Sequence, residues 1–213
     1  MAKDSAKSKL IADMLKKATK SDKPTQREFE LCPEVLLCPN IPMPLHGVAP
    51  RVVLGTKWWN RTRKEAYRST SFHCIACGVH KTAAKVKQHL EAHEVYEVDY
   101  EAGRMKYIRA VPLCYFCHNY IHDGRLQLLL QAGKISHKRY TDIIQHGDAV
   151  LKRAGISKLP KRQREDKIKL LARQGRLASW DDWRMTYGGR VFKPKLSRVE
   201  VLYPPELLFE GDE

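Results

Sequence analysis

Two pairs of cysteines with Cys-x-x-Cys spacing are the residues of this chain best suited to chemistry. Cys74 and Cys77 form the first pair, and Cys114 and Cys117 form the second. A Cys-x-x-Cys turn presents two sulfurs to one metal ion, and two such turns complete the tetrahedral coordination that zinc prefers. The spacing therefore predicts a structural zinc site.

Two histidines follow the second cysteine pair directly. His118 and His122 are four residues apart, so on a helix they share one face. They are candidate ligands of a second metal ion, distinct from the one that the cysteines hold. The alternatives are that they are polar residues beside the zinc, or that His118 replaces a cysteine as a zinc ligand.

The other two cysteines, Cys32 and Cys38, flank a proline-rich stretch and have no further ligand pair of comparable spacing. We expect them to be plain thiols. The N-terminal region lacks the apolar segment and cleavage site of a secretory signal. Paired Cys-x-x-Cys spacing in such a chain favours metal binding in a reducing compartment over disulfides.

The charge of the chain points to a polyanionic partner. Its 213 residues include 39 Lys and Arg against 24 Asp and Glu, a formal net charge of +15. The excess is clustered, with 15 Lys and Arg against four Asp and Glu in residues 151–198, and six against one in residues 51–68. The simplest partner is nucleic acid. We expect no membrane partner, because no apolar run approaches the roughly 18 residues of a membrane span.

The elements that must position the cysteines and histidines can be read between the two pairs. The intervening Gly78–Leu113 has 36 residues, longer than the spacing in simple zinc ribbons. Alternating apolar and polar residues on both sides of Glu101–Arg104 predict a β-hairpin with a glycine in its turn. Zinc would join the ends of this hairpin and add folding free energy. A helix carrying His118 and His122 should follow and end at Gly124.

Helices are predicted on both sides of this module, in residues 5–20, 58–69, 126–132, 136–153, 161–173 and 180–187. The proline-rich residues 32–50 should form neither regular helix nor central strand. The predicted fold class is α+β, in four segments. They are an N-terminal helical arm (1–31), a proline-rich segment with a tryptophan-anchored helix that packs on the core (32–71), a zinc-stapled module (72–132), and a basic helical extension with an acidic tail (133–213).

Residues Cys74 to Leu126 resemble the HNH endonuclease family, which has the ββα-metal fold. The resemblance is carried by Leu113-Cys114, by the Cys-x-x-Cys-His-x-x-x-His run that ends at His122, and by the sequence LEAHE around His93. The sequence LCYFCHNYIHDGRL is similar to HNH-type proteins of phages and bacteria. The resemblance implies a treble-clef-like module stapled by Zn²⁺, a catalytic Mg²⁺ or Mn²⁺, and hydrolysis of phosphodiester bonds in DNA. It also implies a protein of the cytoplasm of a bacterial cell or phage-infected host.

The family's site residues carry over onto this chain with one choice left open. His118 and His122 correspond to metal ligands. If His93-Glu94 is the family's strand pair, His93 binds the metal and Glu94 stands at the position of the base. If Ala92-His93 is the pair, His93 is the base and Glu94 is the candidate replacement ligand. We favour His93 as the base, because imidazole titrates near neutral pH.

Arg109 stands about five residues before Cys114, where the family has an asparagine that orients the base histidine. A guanidinium can contact phosphate but cannot accept a hydrogen bond from imidazole. A second hypothesis is therefore a zinc-stapled module without catalysis that binds nucleic acid or a host protein. The residues predicted to contact nucleic acid are Arg61, Arg63, Lys64, Arg109, Lys161, Arg162 and Arg164.

Overall fold

The computed structural model describes residues 29–195 and has an α+β fold built on a four-stranded sheet. The strands lie in the order β1 (Glu91–Asp99), β2 (Arg104–Leu113), β3 (Arg184–Tyr187) and β4 (Arg190–Phe192). β1 pairs with β2 and β3 with β4 in antiparallel fashion, whereas β2 and β3 are parallel. The predicted α+β class is confirmed.

The β1–β2 hairpin is the predicted one, and it contains a bulge. Asp99 Oδ1 accepts hydrogen bonds from the amides of Glu101 and Ala102 at 3.1 and 3.0 Å, which closes the turn. Farther along, Val95 pairs with Arg109 and Tyr96 pairs with Tyr107, so Ile108 is left unpaired. The extra residue interrupts the regular alternation of side chains between the two faces of the hairpin at this point.

Six helices complete the described part of the chain. They are α1 (Pro50–Val53), α2 (Gly55–Ser69), α3 (Tyr115–Ile121), α4 (Asp123–Gln131), α5 (His137–Arg153) and α6 (Leu159–Arg173). Short 3₁₀ turns lie at Pro33–Leu37, Met43–Val48, Lys81–Ala83 and Trp180–Asp182. The helices predicted at 58–69, 126–132, 136–153 and 161–173 are confirmed. The predicted helix at 5–20 lies outside the described residues. None of the helices in residues 29–195 has the length and apolarity needed to cross a bilayer.

Two predictions about these elements are wrong. Gly124 does not end the histidine helix, because α3 stops at Ile121 and Gly124 lies inside α4. The chain turns at His122 and starts a new helix, which buries Leu126 to 1 % exposure. Residues 180–187 are not a helix either, because Arg184–Tyr187 pair with β2 as a strand. Pairing with an existing strand edge outweighs local helix preference there.

Two groups of buried apolar residues form the interior. The larger surrounds the cysteine cluster and runs in sequence from Val35 to Leu151. The smaller includes Leu45, Val48, Tyr96, Met105, Trp183 and Met185. Residues of the predicted segments 32–71, 72–132 and 133–213 share the larger group. The proline-rich stretch therefore belongs to the interior rather than acting as a linker.

Helix α5 crosses α3 at very short distance. A Cβ atom on Gly147 of α5 would lie 2.2 Å from Cδ2 of Tyr120 on α3. The Tyr120 hydroxyl donates to Asp148 Oδ1 at 2.7 Å, and Lys158 Nζ lies 2.5 Å from the same oxygen. This crossing holds α3, the helix that carries Cys117 and His118.

Candidate metal centres

The four cysteines of the two Cys-x-x-Cys pairs meet at the base of the hairpin. A sulfur from each lies within 4.8 Å of all the others. Cys77 Sγ and Cys114 Sγ are 3.7 Å apart. Four sulfurs about 2.3 Å from one tetrahedral zinc ion would be separated by about 3.8 Å. The cluster could therefore hold a metal ion such as zinc.

The first pair lies on a tight turn closed by backbone hydrogen bonds. The Gly78 amide donates to the Cys74 carbonyl at 2.8 Å, and the Cys74 amide donates to the Val79 carbonyl at 2.9 Å. Gly78 has φ of +76°, a left-handed conformation that glycine adopts at little cost. The Ile75 amide donates to the Pro112 carbonyl at 2.9 Å. This bond ties the turn to the end of β2 and so brings Cys74 and Cys77 to Cys114.

The second pair lies at the start of α3, with Cys114 as the residue before the helix. Hydrogen bonds from Cys114 and Cys117 lower the pKa of the Cys74 thiol, and hydrogen bonds with Cys114, Cys74 and Cys77 raise the pKa of the Cys117 thiol. His146 Nε2 on α5 lies 3.4 Å from Cys117 Sγ. No spacing in the sequence relates His146 to the cysteines, so this contact was not predicted. Its contact connects α5 to the cysteine cluster.

His93, His118 and His122 form a second cluster, with one ring nitrogen of each within 4.8 Å of the others. His118 comes from α3, His122 from the end of that helix, and His93 from β1. The ring centroids are 5.4 Å apart for His93 and His118, 5.0 Å for His93 and His122, and 4.8 Å for His118 and His122. The three histidines thus lie close enough to share one ion.

The surroundings of these rings fit a divalent cation. His93 is 5 % exposed, and its Nε2 is buried without a hydrogen-bond partner in residues 29–195. Burial, together with the charges of His118 and His122, lowers the pKa of His93 well below its usual value. Burial and the charge of His118 also lower the pKa of His122 to about 3. Neutral imidazole is the form that binds metal, and a metal ion would give the buried Nε2 of His93 a partner.

Glu91 orients His118. Its carboxylate forms a short hydrogen bond with Nδ1 of that ring. A histidine held through one nitrogen by a carboxylate presents the other nitrogen to a metal, in a fixed orientation. Although burial opposes it, the hydrogen bond with His118 lowers the pKa of Glu91. Glu91 was not among the residues predicted to act at this site, although its position two residues before His93 is a signal for it.

Glu94 and Arg51 lie beside the histidines. The three histidines, Glu94 and Arg51 all line a small cavity of about 30 Å³. The backbone amide of Arg51 donates to Glu94 Oε1 at 3.2 Å. The side-chain Nε of Arg51 lies 3.8 Å from Glu94 Oε2. Burial raises the pKa of Glu94, and the charge of Arg51 opposes that shift. Arg51 is 43 residues from Glu94 in sequence, so local spacing could not single it out.

Arg109 lies apart from the histidines. It is half-buried near Cys32 and Cys38, and its Nε is buried without a hydrogen-bond partner in the described ranges. Burial raises the pKa of Cys32 to about 11 and that of Cys38 to about 12. Both thiols are therefore protonated and neutral near pH 7. Arg109 is thus packed beside two thiols and does not line the cavity of the histidines.

The other predicted nucleic-acid contacts divide into two sets. Lys161 pairs with Asp123, and Arg164 Nη1 donates to the Leu37 carbonyl at 2.8 Å, so these two side chains attach α6 to the core. Arg63 is half-buried, and its Nε donates to Asn60 Oδ1 at 2.9 Å. The exposed members of the predicted set are Arg61 and Lys64 on α2 and Arg162 on α6.

Comparisons of the chain with protein-family models, curated proteins and solved structures returned no match. The function is therefore inferred from the two clusters and from the side chains around them.

Proposed function

We propose that this protein is a metal-dependent endonuclease of the HNH type, which hydrolyses phosphodiester bonds in DNA. The observation that carries the proposal is the cluster of His93, His118 and His122, with an unpartnered buried nitrogen and a glutamate in the same cavity. The order of cysteine turn, hairpin and helix supports a treble-clef-like ββα-metal module, with Zn²⁺ held by the four cysteines.

In this proposal the histidines are the ligands of Mg²⁺ or Mn²⁺. A divalent ion bound there would stabilise negative charge on the scissile phosphate and on the leaving oxygen. The Glu91 carboxylate keeps the His118 ring in its ligating orientation. The Arg51 side chain is exposed at 54 % and lines the same cavity, so it can contact a bound phosphate.

Glu94 is the proposed general base. Its carboxylate is buried beside the histidines, and burial raises its pKa, which makes it a better acceptor of a proton from water. The pKa of free imidazole near neutrality favoured His93 as the base. The position of His93 within 4.8 Å of both other ligand nitrogens supports the alternative, in which His93 is a ligand and Glu94 the base.

DNA is the proposed partner because a net charge of +15 is accompanied by exposed cations on α2 and α6. The cytoplasm of a bacterial cell or of a phage-infected host remains the proposed location, on the strength of the sequence resemblance.

The test is a cleavage assay on supercoiled plasmid with Mg²⁺ or Mn²⁺. We expect the wild-type protein to nick the plasmid and His118→Ala to abolish nicking, because the variant lacks a metal ligand. His137→Ala is the matched control, since His137 is an exposed histidine at the start of α5 outside both clusters. Zinc content and circular dichroism should be equal in all three proteins. Cleavage that persists in folded His118→Ala protein would overturn the assignment.

The second candidate function is a zinc-stapled module that binds nucleic acid or a host protein without catalysis. Arg109 favours it, because this residue replaces the family's asparagine and lies half-buried beside Cys32 and Cys38. It predicts tight, salt-sensitive binding, no cleavage with any divalent ion, and one zinc per chain with no second bound metal. Titration with Mn²⁺ separates the two functions, because only the nuclease requires a second site.

A further inference from the structure

A second cavity, of about 360 Å³, lies between α2 and β2. Its walls include Trp58 and Thr62 of α2, Tyr107 of β2 and Tyr187 of β3. We propose that this cavity binds one unpaired nucleobase of the strand whose backbone lies at the histidine site. The proposal rests on the proposed function, since it takes nucleic acid as the ligand.

Three aromatic rings form the apolar wall of the cavity. The ring centroid of Trp58 lies 5.7 Å from that of Tyr107 and 5.3 Å from that of Tyr187. The centroids of the two tyrosines are 5.4 Å apart, and all three pairs meet edge to face. Trp58 Nε1 donates to the Tyr187 hydroxyl at 2.9 Å, which fixes the two rings relative to each other. All three residues are half-buried, so part of each ring is accessible. Such walls stack on bases of any sequence.

The polar groups of the cavity can pair with the edge of a base, which carries both donors and acceptors. Thr62, Glu65, Ser69 and Arg109 line it beside the rings. A carboxylate accepts hydrogen bonds from the exocyclic amino groups of cytosine and adenine, and a guanidinium donates to their ring and carbonyl acceptors. The cavity therefore offers partners to a base, and the backbone of the same strand would lie outside it.

Helix α2 offers the complementary surface for that backbone. Lys57, Arg61, Lys64 and Arg68 are all exposed, and their spacing puts them along one stripe of the helix. Trp58 and Thr62 of the same helix face the cavity. A strand that runs along α2 could thus place its phosphates on the stripe and a base in the cavity.

The cavity is also close to the histidines. Tyr96 lines the histidine cavity, Tyr107 lines the aromatic cavity, and their ring centroids are 6.2 Å apart. Glu94 pairs across the hairpin with Ala110, which lines the aromatic cavity. A short stretch of one strand can therefore reach both places.

The test measures binding without cleavage, by fluorescence anisotropy of labelled oligodeoxycytidylate and of a duplex of equal length. His118→Ala protein is used as the background, in buffer free of chelator, so that the oligonucleotides stay intact and zinc is retained. Thr62→Phe fills the cavity and should weaken single-strand binding about tenfold while leaving duplex binding unchanged. Thr56→Phe is the matched control, because Thr56 is exposed on the same helix and does not line the cavity.

Glu65→Ala provides a second variant at an exposed position, where folding is not at risk. It removes the acceptor and should reduce the preference for oligodeoxycytidylate over oligodeoxythymidylate, since thymine has no exocyclic amino group. Single-strand affinity unchanged in Thr62→Phe, or an equal loss on duplex, would overturn the proposal, as would an unchanged base preference in Glu65→Ala. Plasmid cleavage is not part of this readout, so failure of the nuclease proposal and failure of the base cavity can be told apart.

Discussion

At the scale of single residues, the candidate nuclease site depends on side chains that hold the ligands as well as on the ligands. The ring of His118 is held in a defined orientation, because the Glu91 carboxylate is hydrogen-bonded to its Nδ1. The neutral rings of His93 and His122 would otherwise be buried polar groups with a desolvation cost. A metal ion shared with His118 would offset that cost for both rings.

We predict that Glu91→Ala weakens Mn²⁺ binding about 10- to 100-fold, because the His118 ring loses the carboxylate that orients it. Glu91→Gln should be intermediate, since its amide oxygen can still accept a hydrogen bond from Nδ1. Calorimetric titration with Mn²⁺ measures the change. Glu97→Ala is the control, because Glu97 is an exposed glutamate on the same strand. Equal affinity in wild type and Glu91→Ala would show that His118 needs no support.

At the scale of elements, the position of α3 is set by its crossing with α5. Tyr120 packs directly on Gly147, and the Tyr120 hydroxyl extends past it to Asp148. A glycine inside a helix lowers helix stability, so its presence here reflects the close approach of the tyrosine ring. His146 of the same helix reaches Cys117 Sγ, so one helix supports both the fold of α3 and the cysteine cluster.

We predict that Gly147→Ala destabilises the protein by about 1–3 kcal/mol, because the new methyl group overlaps the Tyr120 ring and both helices must shift. Gly124→Ala is the matched control. Gly124 also lies in a helix, and a Cβ there would meet nothing within 4 Å. That variant should be as stable as the wild type, or more stable by up to about 1 kcal/mol from helix propensity. Urea unfolding monitored by circular dichroism gives both values, and a Gly147→Ala midpoint equal to that of Gly124→Ala would contradict the packing argument.

At the scale of the whole molecule, the cysteine cluster lies inside the larger of the two apolar groups. That group takes residues from the 3₁₀ turn at Pro33–Leu37, from β1 and β2, and from α3 and α5. A zinc ion at its centre would link the turn at Cys74–Cys77 to the start of α3. Loss of the ion should therefore affect the entire fold rather than one loop.

We predict that Cys114→Ser lowers the zinc content below one ion per chain and reduces the thermal midpoint sharply, because zinc no longer links the turn at Cys74–Cys77 to the start of α3. Cys32→Ser should keep one zinc and a midpoint close to that of the wild type, since Cys32 lies outside the cluster. Elemental analysis and calorimetry provide the two measurements. A Cys114→Ser protein that unfolds at the wild-type temperature would show that the cluster does not stabilise the fold.

Local patterns in the sequence were enough to predict the hairpin, most of the helices and the cysteine cluster. Alternation over Tyr96–Ile108 and the Ser136 cap of α5 are local signals, and the structure has both elements. The helix predicted at 180–187 failed because β2 offered an open edge for pairing, and no local signal reports that edge. The bulge at Ile108 also lay beyond the sequence pattern, and it decides where Arg109 lies.

The sequence by itself determined the ligand types, the spacing that predicts a zinc site and the pair of histidines one turn apart. Only the tertiary structure decided that His93 joins that pair, that Glu91 holds His118, and that Arg51 lies against Glu94. The physical reason is that spacing within a helix or tight turn fixes distances over a few residues. Contacts between β1, α3 and the chain at Arg51 depend instead on strand register and on how the elements pack around a shared core.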